Sequence, residues 1–447
     1  MRRPARRCVR HRPGRPTGCG LARGAAAILA AAGLAVGGLA AARPALAQVD
    51  TTRADTTRAD TTGGRRRAGP VRGDSTGVQG SIYSRPFIAA AGRTAVGGYV
   101  EGNTNYFVED GVGDGFSMEL RRFNLFLFSS VGQRLRFISE LEFEHGTREI
   151  ALETALLDFQ LDPAFVLRAG VLLPPVGAFN PNHDSPRWEF VDRPLVSTRI
   201  IPSTLSEIGF GAYGRVPVGA ATLTYDAYLT NGLGEGVILN DEGRTLLAAG
   251  KRDEQFAGDN NGSPAVSGSV ALQRRGLGEV GVSYYGAVYN AFRRDGVDVD
   301  ARRRLSMAAL DVATAVGPLT LRGEAARVRV DVPDDLGELF GERQWGAHLD
   351  AVVPVWRPRV LARLLGLRGA TVNAGLRVEY VDYNGGRFRA TGRPIRDHVF
   401  ALVPGLSFRP TAGTVFKANY RRHWTRDLLG NPAARMGGYQ VGMATYF

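Results

Sequence analysis

The sequence predicts an all-β protein, a transmembrane antiparallel β-barrel of about sixteen strands. From residue 94 onward the chain consists of apolar or alternating runs, each about ten to fifteen residues long, which Gly, Pro, Asn and Asp separate. The connections between these runs alternate between tight turns and longer polar loops. The last ten residues, GYQVGMATYF, form an alternating strand that ends on Phe447.

The composition fits a folded chain whose main body is nearly neutral. Of the 447 residues, 44% are hydrophobic and 22% are charged, which is too apolar for disorder. The net charge of +13 is concentrated at the start, because residues 1–47 hold nine Arg and no acid, and residues 48–92 hold seven Arg and four Asp. Only +1 is left for residues 93–447. A broad basic face is therefore absent from the sequence, and no nucleic-acid partner is expected.

Residues 1–47 are predicted to be a signal peptide. An Arg-rich start is followed by an uncharged apolar stretch at 24–42 and by Ala45-Leu46-Ala47, which fits a cleavage site. A membrane-anchor helix is the alternative, because the apolar stretch is nearly long enough to span a bilayer. Both cysteines, Cys8 and Cys19, lie in this leader, so disulfide and thiolate chemistry are not expected in the mature chain.

The next segment, residues 48–92, is predicted to be a low-complexity linker that precedes the barrel at 93–447. The pentapeptide TTRAD occurs at 51–55 and again at 56–60, and TTGGRRRAG follows it. A polar stretch of this kind, rich in Gly and Arg and without periodicity, is typical of a flexible linker.

The segment RLRFISELEFEH at 134–145 has the clearest alternation. Leu135, Phe137, Leu141 and Phe143 share one parity, and the opposite parity is largely charged. Every backbone polar group in a bilayer must be paired within the protein, so a spanning sheet must close and show lipid one face and the lumen the other. The charged parity is therefore expected to face the lumen. It consists of Arg134, Arg136, Glu140, Glu142 and Glu144.

Short turns on one rim and longer loops on the other predict periplasmic turns, outer loops and periplasmic termini. A short amphipathic helix is expected to interrupt one tight connection, at 357–369. The long connections are expected at 104–115, 174–204, 232–263, 292–302, 332–342, 384–394 and 426–434. The strands are expected near 94–103, 116–129, 133–144, 148–161, 165–173, 205–216, 219–231, 264–275, 278–291, 303–316, 318–331, 343–356, 369–383, 395–409, 412–425 and 435–447.

The final strand has one large apolar parity, formed by Tyr439, Val441, Met443 and Phe447. It must pair with the first strand to close the barrel, which places Phe447 in the aromatic girdle of the periplasmic rim. The strand resembles the C-terminal signal that the barrel-assembly machinery reads in bacterial outer-membrane proteins. The sequence therefore predicts a location in the outer membrane, within the lipid bilayer.

Residues 119–217 resemble the phosphate-selective porin O/P family. The segment MELRRFNLFLFSSVG matches the second strand of that family at Glu119, Arg121, Arg122 and Leu125, while Asn124 stands where the family usually has Arg. Farther along, Leu173 stands where the family usually has Lys. The resemblance implies a sixteen-stranded porin that is commonly a homotrimer. Further matches are Arg168, Gly170, Pro175 and Gly177 in LETALLDFQLDPAFVLRAGVLLPPVGAFN, and Arg193 and Gly209 in the next segment.

The connection at 174–204 is the best candidate for a loop that folds inward and constricts a pore. It follows the fifth predicted strand, as in the resembled family, and begins with Pro174 and Pro175. Its charged residues are of both signs, so a mixed constriction is expected. They are His183, Asp184, Arg187, Glu189, Asp192, Arg193 and Arg199.

Arginine carries nearly all of the positive charge, because the chain has only two lysines, Lys251 and Lys417. The planar guanidinium fork suits phosphate and carboxylate oxyanions. The same side chains could instead pair with glutamates and brace the inner wall. The candidates for contact with anions in the pore are Arg122, Arg136, Arg168, Arg193 and Arg199.

The leading hypothesis is an outer-membrane porin for passive diffusion of small hydrophilic solutes, with a preference for anions such as phosphate. A plugged structural or receptor-like barrel is the alternative. No enzyme motif is recognisable, and the five histidines beyond the leader are too far apart in sequence to suggest a metal site. No catalytic residue, cofactor or metal is therefore predicted.

Overall fold

The structure is a computed structural model that describes residues 82–89, 93–146, 148–251, 256, 258–259, 261–364, 366–367 and 369–447. The predicted signal peptide at 1–47 lies outside the described residues, as does the predicted linker apart from residues 82–89.

Within the described residues, sixteen antiparallel strands close into one barrel, in which each strand pairs with its sequence neighbours and β1 pairs with β18. A separate two-stranded hairpin, β10 and β11, lies in one connection. The barrel strands are β1 Thr94–Glu109, β2 Val112–Ser130, β3 Leu135–Glu144, β4 Glu149–Asp162, β5 Phe165–Leu172, β6 Glu207–Val218, β7 Ala221–Thr230, β8 Ala265–Arg274, β9 Gly278–Val288, β12 Arg304–Val316, β13 Leu319–Val330, β14 Arg343–Trp356, β15 Thr371–Asp382, β16 His398–Thr411, β17 Thr414–Arg426 and β18 Ala434–Tyr446. The hairpin strands are β10 Arg293–Arg294 and β11 Val297–Asp298.

The helical elements are short. They are α1 Pro86–Ala89, α2 Arg359–Leu364, five 3-10 turns at Ile82–Ser84, Asn180–Asn182, Ser185–Arg187, Glu235–Val237 and Leu247–Gly250, and a π-helical turn at Val196–Ile200. No helix among the described residues is long and apolar enough to cross a bilayer.

All sixteen predicted strands are confirmed, and so is the period of two. On β3, Ile138, Glu140 and Glu142 are buried in the barrel interior. On the neighbouring β4, Leu157 and Phe159 are exposed on the outside. Period two therefore separates a polar interior from an apolar exterior on these strands, as a membrane barrel requires.

The exterior carries large apolar side chains on strands all around the barrel, as the outer surface of a lipid-embedded barrel must. This surface makes the chain a transmembrane β-barrel of the bacterial outer membrane. Its exposed members include Leu127, Ile150, Leu167, Phe210, Leu229, Leu272, Val282, Leu310, Leu349, Leu376, Leu406, Phe416, Val441 and Met443.

One connection differs in length from the sequence prediction, and another contains the helix that the sequence predicts. The expected long loop at 104–115 is wrong, because β1 and β2 continue to a two-residue turn at Asp110 and Gly111. Both turn residues have positive φ, of 46° and 90°, which matches the twist of a tight hairpin. In the tight connection expected to contain a helix, α2 forms as predicted.

A β-bulge in β2 lets two consecutive arginines face the interior. Arg122 pairs in register with Glu101, and Leu120 pairs with Gly102, so that Arg121 is the extra residue. The alternation reverses at this point, and Leu120 lies on the outside. Strict period two would have placed Arg121 toward the lipid.

The C-terminal residue completes the closure of the barrel. The amide of Phe447 donates to the carbonyl of Gly98 at 3.0 Å, and the amide of Gly98 donates back at 3.2 Å. The Phe447 ring stacks on Phe123 with ring centroids 5.6 Å apart. A Cβ atom at position 98 would lie 2.6 Å from the Phe447 ring, so this packing requires glycine there.

Replacement of Phe447 by serine is expected to lower the amount of folded barrel in the outer membrane, because the last strand loses its ring contact with β2. The measurement is the heat-modifiable band of the outer-membrane fraction at matched synthesis. Phe416→Ser is the control, since Phe416 is an outward aromatic of similar exposure (46% against 54%) within β17. A wild-type yield for Phe447→Ser, or equal losses for both variants, would show that the terminal position has no special role.

Candidate functional site

The segment between β5 and β6 lies inside the barrel. Its two ends are joined by Asn180, whose side-chain amide donates to the carbonyls of Pro174 (2.8 Å) and Leu205 (3.1 Å) and whose oxygen accepts from the Leu205 amide at 2.7 Å. We call residues 174–204 the inner loop. Asn180 is fully buried, so its hydrogen bonds take the place of water at backbone groups where the chain reverses direction.

One side of the inner loop is fixed by backbone hydrogen bonds to acids of the barrel wall. The amide of Ala178 donates to Asp311 on β12 at 2.9 Å, and the amide of Phe179 donates to Glu324 on β13 at 3.2 Å. Glu324 also accepts from the hydroxyl of Ser197 at 2.6 Å. Gly177 has a φ of +67°, and a Cβ there would lie 2.7 Å from the Glu324 carboxylate. Glycine is therefore required where the loop approaches the wall.

The other side is held by arginines that pair with Asp192 of the inner loop. Arg121 donates to the Asp192 carboxylate at 2.7 Å, and Arg421 of β17 pairs with its second oxygen. Arg377 of β15 donates to the Asp192 carbonyl at 2.7 Å. Burial alone would raise the pKa of Asp192, but Arg421 and Arg121 hold that pKa well below its ordinary value. Asp192 is therefore ionised, and it is held between Arg121 of β2 and Arg421 of β17.

Glu189 of the inner loop forms a second contact of the same kind. Arg409 of β16 donates to its carboxylate at 2.6 Å, and Ser407 donates to the other oxygen. Lys417 donates to the carbonyl of Ser185 at 3.0 Å. Acids and carbonyls of the loop thus face cations of the wall along β16 and β17.

Residues 82–89, which the sequence predicts to be part of the linker, instead lie inside the barrel, where Arg85 pairs with acids. Arg85 is 1% exposed, and its guanidinium donates to Asp184 at 2.9 and 3.0 Å and to Glu140 at 2.8 Å. It lies 3.7 Å from the centre of the Phe126 ring. Burial would raise the pKa of Asp184, but Arg85 and Arg187 hold it far below its ordinary value.

Aromatic residues on either side of Arg85 hold this N-terminal segment against β2 to β4. Phe87 stacks on Phe126 at 5.5 Å, and the hydroxyl of Tyr83 donates to Asp158 at 2.6 Å. Ile82 packs on Ile138 and Leu156. The segment therefore fills part of the lumen beneath the inner loop.

The outer half of the lumen contains an apolar cluster. The inner loop and the connection after β7 pack together against inward residues near the outer ends of the strands. Burial of this much apolar surface stabilises both loops. The cluster also narrows the lumen on the outer side of the barrel. The buried members include Val176, Val196, Ile200, Ile201, Leu233, Val237, Leu247, Tyr285, Leu305, Met307, Val328, Val330 and Val381.

The arginines proposed from the sequence have different surroundings. Arg122 pairs with Glu101 (3.0 Å) and Glu144 (2.5 Å), and Arg168 pairs with Asp158 at 2.8 Å, so both brace the wall. Arg193 donates to Thr204 at 3.2 Å, within the inner loop. Arg136 lies 5.6 Å from the ring of Tyr83, and Arg199 is exposed.

Two cavities open beneath the inner loop. One, of about 300 Å³, is lined by Arg136, Arg168, Arg215 and Asp226 among others. The second, of about 350 Å³, is lined by Arg187, Arg322, Arg409, His348 and Trp188 among others. Both have arginines in their walls, and both lie near the periplasmic turns.

Arg322 was missed by the sequence analysis. It faces inward from β13, and no hydrogen bond or ion pair joins it to another described residue. Its guanidinium lies 5.6 Å from the Trp188 ring.

Arg121, Arg377, Arg409 and Arg421 were missed as well. Period two could have indicated the inward parity of Arg377, Arg409 and Arg421, but it gives no sign of which inner-loop acid each one contacts.

No protein-family model matches the sequence. An uncharacterized protein of Aquifex aeolicus is 35% identical over 188 residues, which are 40% of this chain and 40% of that protein. The chain therefore spans less than half of the length of this relative.

Solved structures with a similar overall architecture include three porins. An anion-selective porin from Comamonas acidovorans is 13% identical, with a TM-score of 0.48 over 79% of this chain and 99% of that chain. OmpF of Salmonella typhi in complex with daunomycin is 11% identical, with a TM-score of 0.49 over 79% and 98%. OprB of Pseudomonas putida is 10% identical, with a TM-score of 0.49 over 79% and 94%.

Replacement of Asp184 by asparagine is expected to destabilise the barrel by about 1–3 kcal/mol at pH 7, because Arg85 loses a charged hydrogen-bond partner while Glu140 still neutralises it. The folded-state pKa of Asp184 is depressed, so its contribution is fully present above the unfolded pKa of about 3.9 and is lost progressively as the pH falls from there toward the folded-state pKa.

Urea unfolding in detergent at pH 7 and at pH 3 measures this effect. The difference between the wild type and Asp184→Asn should be large at pH 7 and smaller at pH 3. Asp295→Asn is the control, because Asp295 is an exposed hairpin residue with a φ of 50° that asparagine tolerates. Equal stability of Asp184→Asn and the wild type at pH 7 would contradict the assignment.

Proposed function

We propose that this barrel is an outer-membrane porin through which small hydrophilic solutes diffuse passively, and that it prefers anions. The observation that carries the proposal is the 350 Å³ cavity beneath the inner loop, whose wall presents the unpaired guanidinium of Arg322 beside Arg187 and Arg409. A cation that forms no ion pair of its own in a confined, low-dielectric space attracts anions.

The anion preference is local, because residues 93–447 carry a net charge of only +1. Most wall arginines are neutralised by inner-loop or wall acids, and they fix the loop instead of attracting solutes. Arg322 differs from them in forming no ion pair with a described residue, although Glu189 and Asp350 lie near enough to interact with its charge. Guanidinium groups bind phosphate and carboxylate through paired hydrogen bonds, so oxyanions of this size are the preferred solutes.

The path we propose leads from the cavity beside Arg322 to the polar side of the lumen, between the inner loop and strands β1, β2, β17 and β18. Asp192 and Arg121 on this side retain 23% and 16% side-chain exposure, although they are paired. Glu119 and His145 continue the polar lining toward the outer rim, with 25% and 48% exposure.

Four further properties belong to this proposal. The mature chain begins near Gln48 after removal of the leader, as the Ala45-Leu46-Ala47 site indicates. The apolar face of β18 serves as the signal for the barrel-assembly machinery. The porin is a homotrimer, as the resembled family implies. The protein has no enzymatic activity in this proposal.

A second candidate is a plugged barrel that does not conduct. The apolar cluster in the outer half and the buried Arg85 of the N-terminal segment favour it, because both occupy the lumen. Single-channel recording in a planar bilayer separates the two candidates. Discrete ion-conducting steps support the porin, and a silent but correctly folded barrel supports the plug.

Exchange of Arg322 for glutamate is expected to move the reversal potential in a KCl gradient toward cation selectivity by several millivolts, and to weaken block of chloride current by phosphate. Arg387→Glu is the control, because Arg387 is exposed in an outer loop, where charges are screened beyond ~8–10 Å at working salt.

Arg193→Glu provides the comparison within the inner loop and should have an intermediate effect, since Arg193 already donates to Thr204. Equal shifts for Arg322→Glu and Arg387→Glu would remove Arg322 from the pathway. An unselective wild-type channel would make the protein a general porin.

A further inference from the structure

Three side chains capable of binding a metal ion meet where the inner loop contacts β3. Glu140 and Glu142 face inward from β3, and His183 comes from the inner loop. A ligand atom from each lies within 4.8 Å of the other two. All three side chains are at most 2% exposed. The histidine is far from the glutamates in sequence, which explains why no ligand spacing was visible there.

The orientation of His183 aims one ring nitrogen at the carboxylates. Its Nδ1 lies 2.8 Å from the carbonyl oxygen of Asn180, which can only accept, so Nδ1 carries a proton and donates it. The other nitrogen, Nε2, has no hydrogen-bond partner among the described residues and lies 3.5 Å from Glu140 Oε1. A fully buried ring nitrogen without a hydrogen bond is costly unless a ligand occupies it.

The two carboxylates are held by outer partners, as in many metal sites. The side-chain amide of Asn124 donates to Glu140 Oε1 and to Glu142 Oε2, both at 2.7 Å. Arg85 donates to the remaining oxygen of Glu140 at 2.8 Å, and Arg122 lies 3.7 Å from that of Glu142. These contacts fix the carboxylates next to Nε2 of His183.

We propose that Glu140, Glu142 and His183 bind a divalent transition-metal ion. One imidazole nitrogen and two carboxylate oxygens form a donor set suited to Zn²⁺, Co²⁺ or Mn²⁺, and the histidine disfavours Mg²⁺ and Ca²⁺. Two carboxylate charges balance the charge of the ion. The ion joins the inner loop to the wall, so it acts as a structural link between them.

The test is titration of the EDTA-treated, detergent-solubilised barrel with Co²⁺, followed by visible absorption, and with Zn²⁺, followed by calorimetry. We expect one ion per chain and a higher thermal midpoint with Zn²⁺. His183→Gln and Glu142→Gln should each weaken binding at least ~10-fold and abolish the rise in midpoint. Heat-modifiable migration verifies folding, and Glu142→Gln serves if His183→Gln fails to fold.

His145→Gln is the matched control, because His145 is half exposed and contacts Glu119, a pair that could bind metal at the surface. It should leave the affinity unchanged. No binding by the wild type, unchanged affinity in both site variants, or loss of binding in His145→Gln would overturn the proposal. None of these outcomes depends on whether the barrel conducts, so the site and the porin function are tested separately.

Discussion

The barrel interior depends on the pairing of charges that closure of the sheet removes from water. An unpaired ion in such a place costs several kcal/mol, so each acid of the inner loop must lie where a cation of the wall or of the N-terminal segment can reach it. Asp192 lies between Arg121 and Arg421, Glu189 contacts Arg409, and Asp184 contacts Arg85. These pairs determine the position of the loop and leave few arginines free to attract solutes.

The bilayer imposes the complementary constraint on the outside. Lipid-facing side chains must be apolar and backbone groups must be paired, so each strand carries its polar residues on one parity. The bulge at Arg121 is a local departure from this rule that supplies the loop with an additional cation. The same interior that binds the inner loop also contains apolar packing at its outer end. The barrel therefore holds less open space than sixteen strands alone would enclose.

The sequence was sufficient for the strands and for their inward and outward faces, because period two and turn residues are local signals. It was insufficient for contacts that depend on the closed barrel. The partners of Asp192, the insertion of Arg85 and the meeting of His183 with Glu140 join residues far apart in the chain. The tight turn at Asp110-Gly111 was also missed, because the polar residues around it are typical of a loop, although they belong to strands that continue as far as this turn.

The central claim is that the inner loop lies within the barrel against its wall. Val191 of the loop and Gly442 of β18 offer a direct test, because a Cβ on Gly442 would lie 3.4 Å from the side chain of Val191. Cysteines at these two positions, in a chain whose Cys8 and Cys19 are replaced by serine, should form a disulfide on mild oxidation in intact outer membranes while the barrel remains heat-modifiable. Two thiols that stay free and react with a small maleimide from the outside would contradict the account.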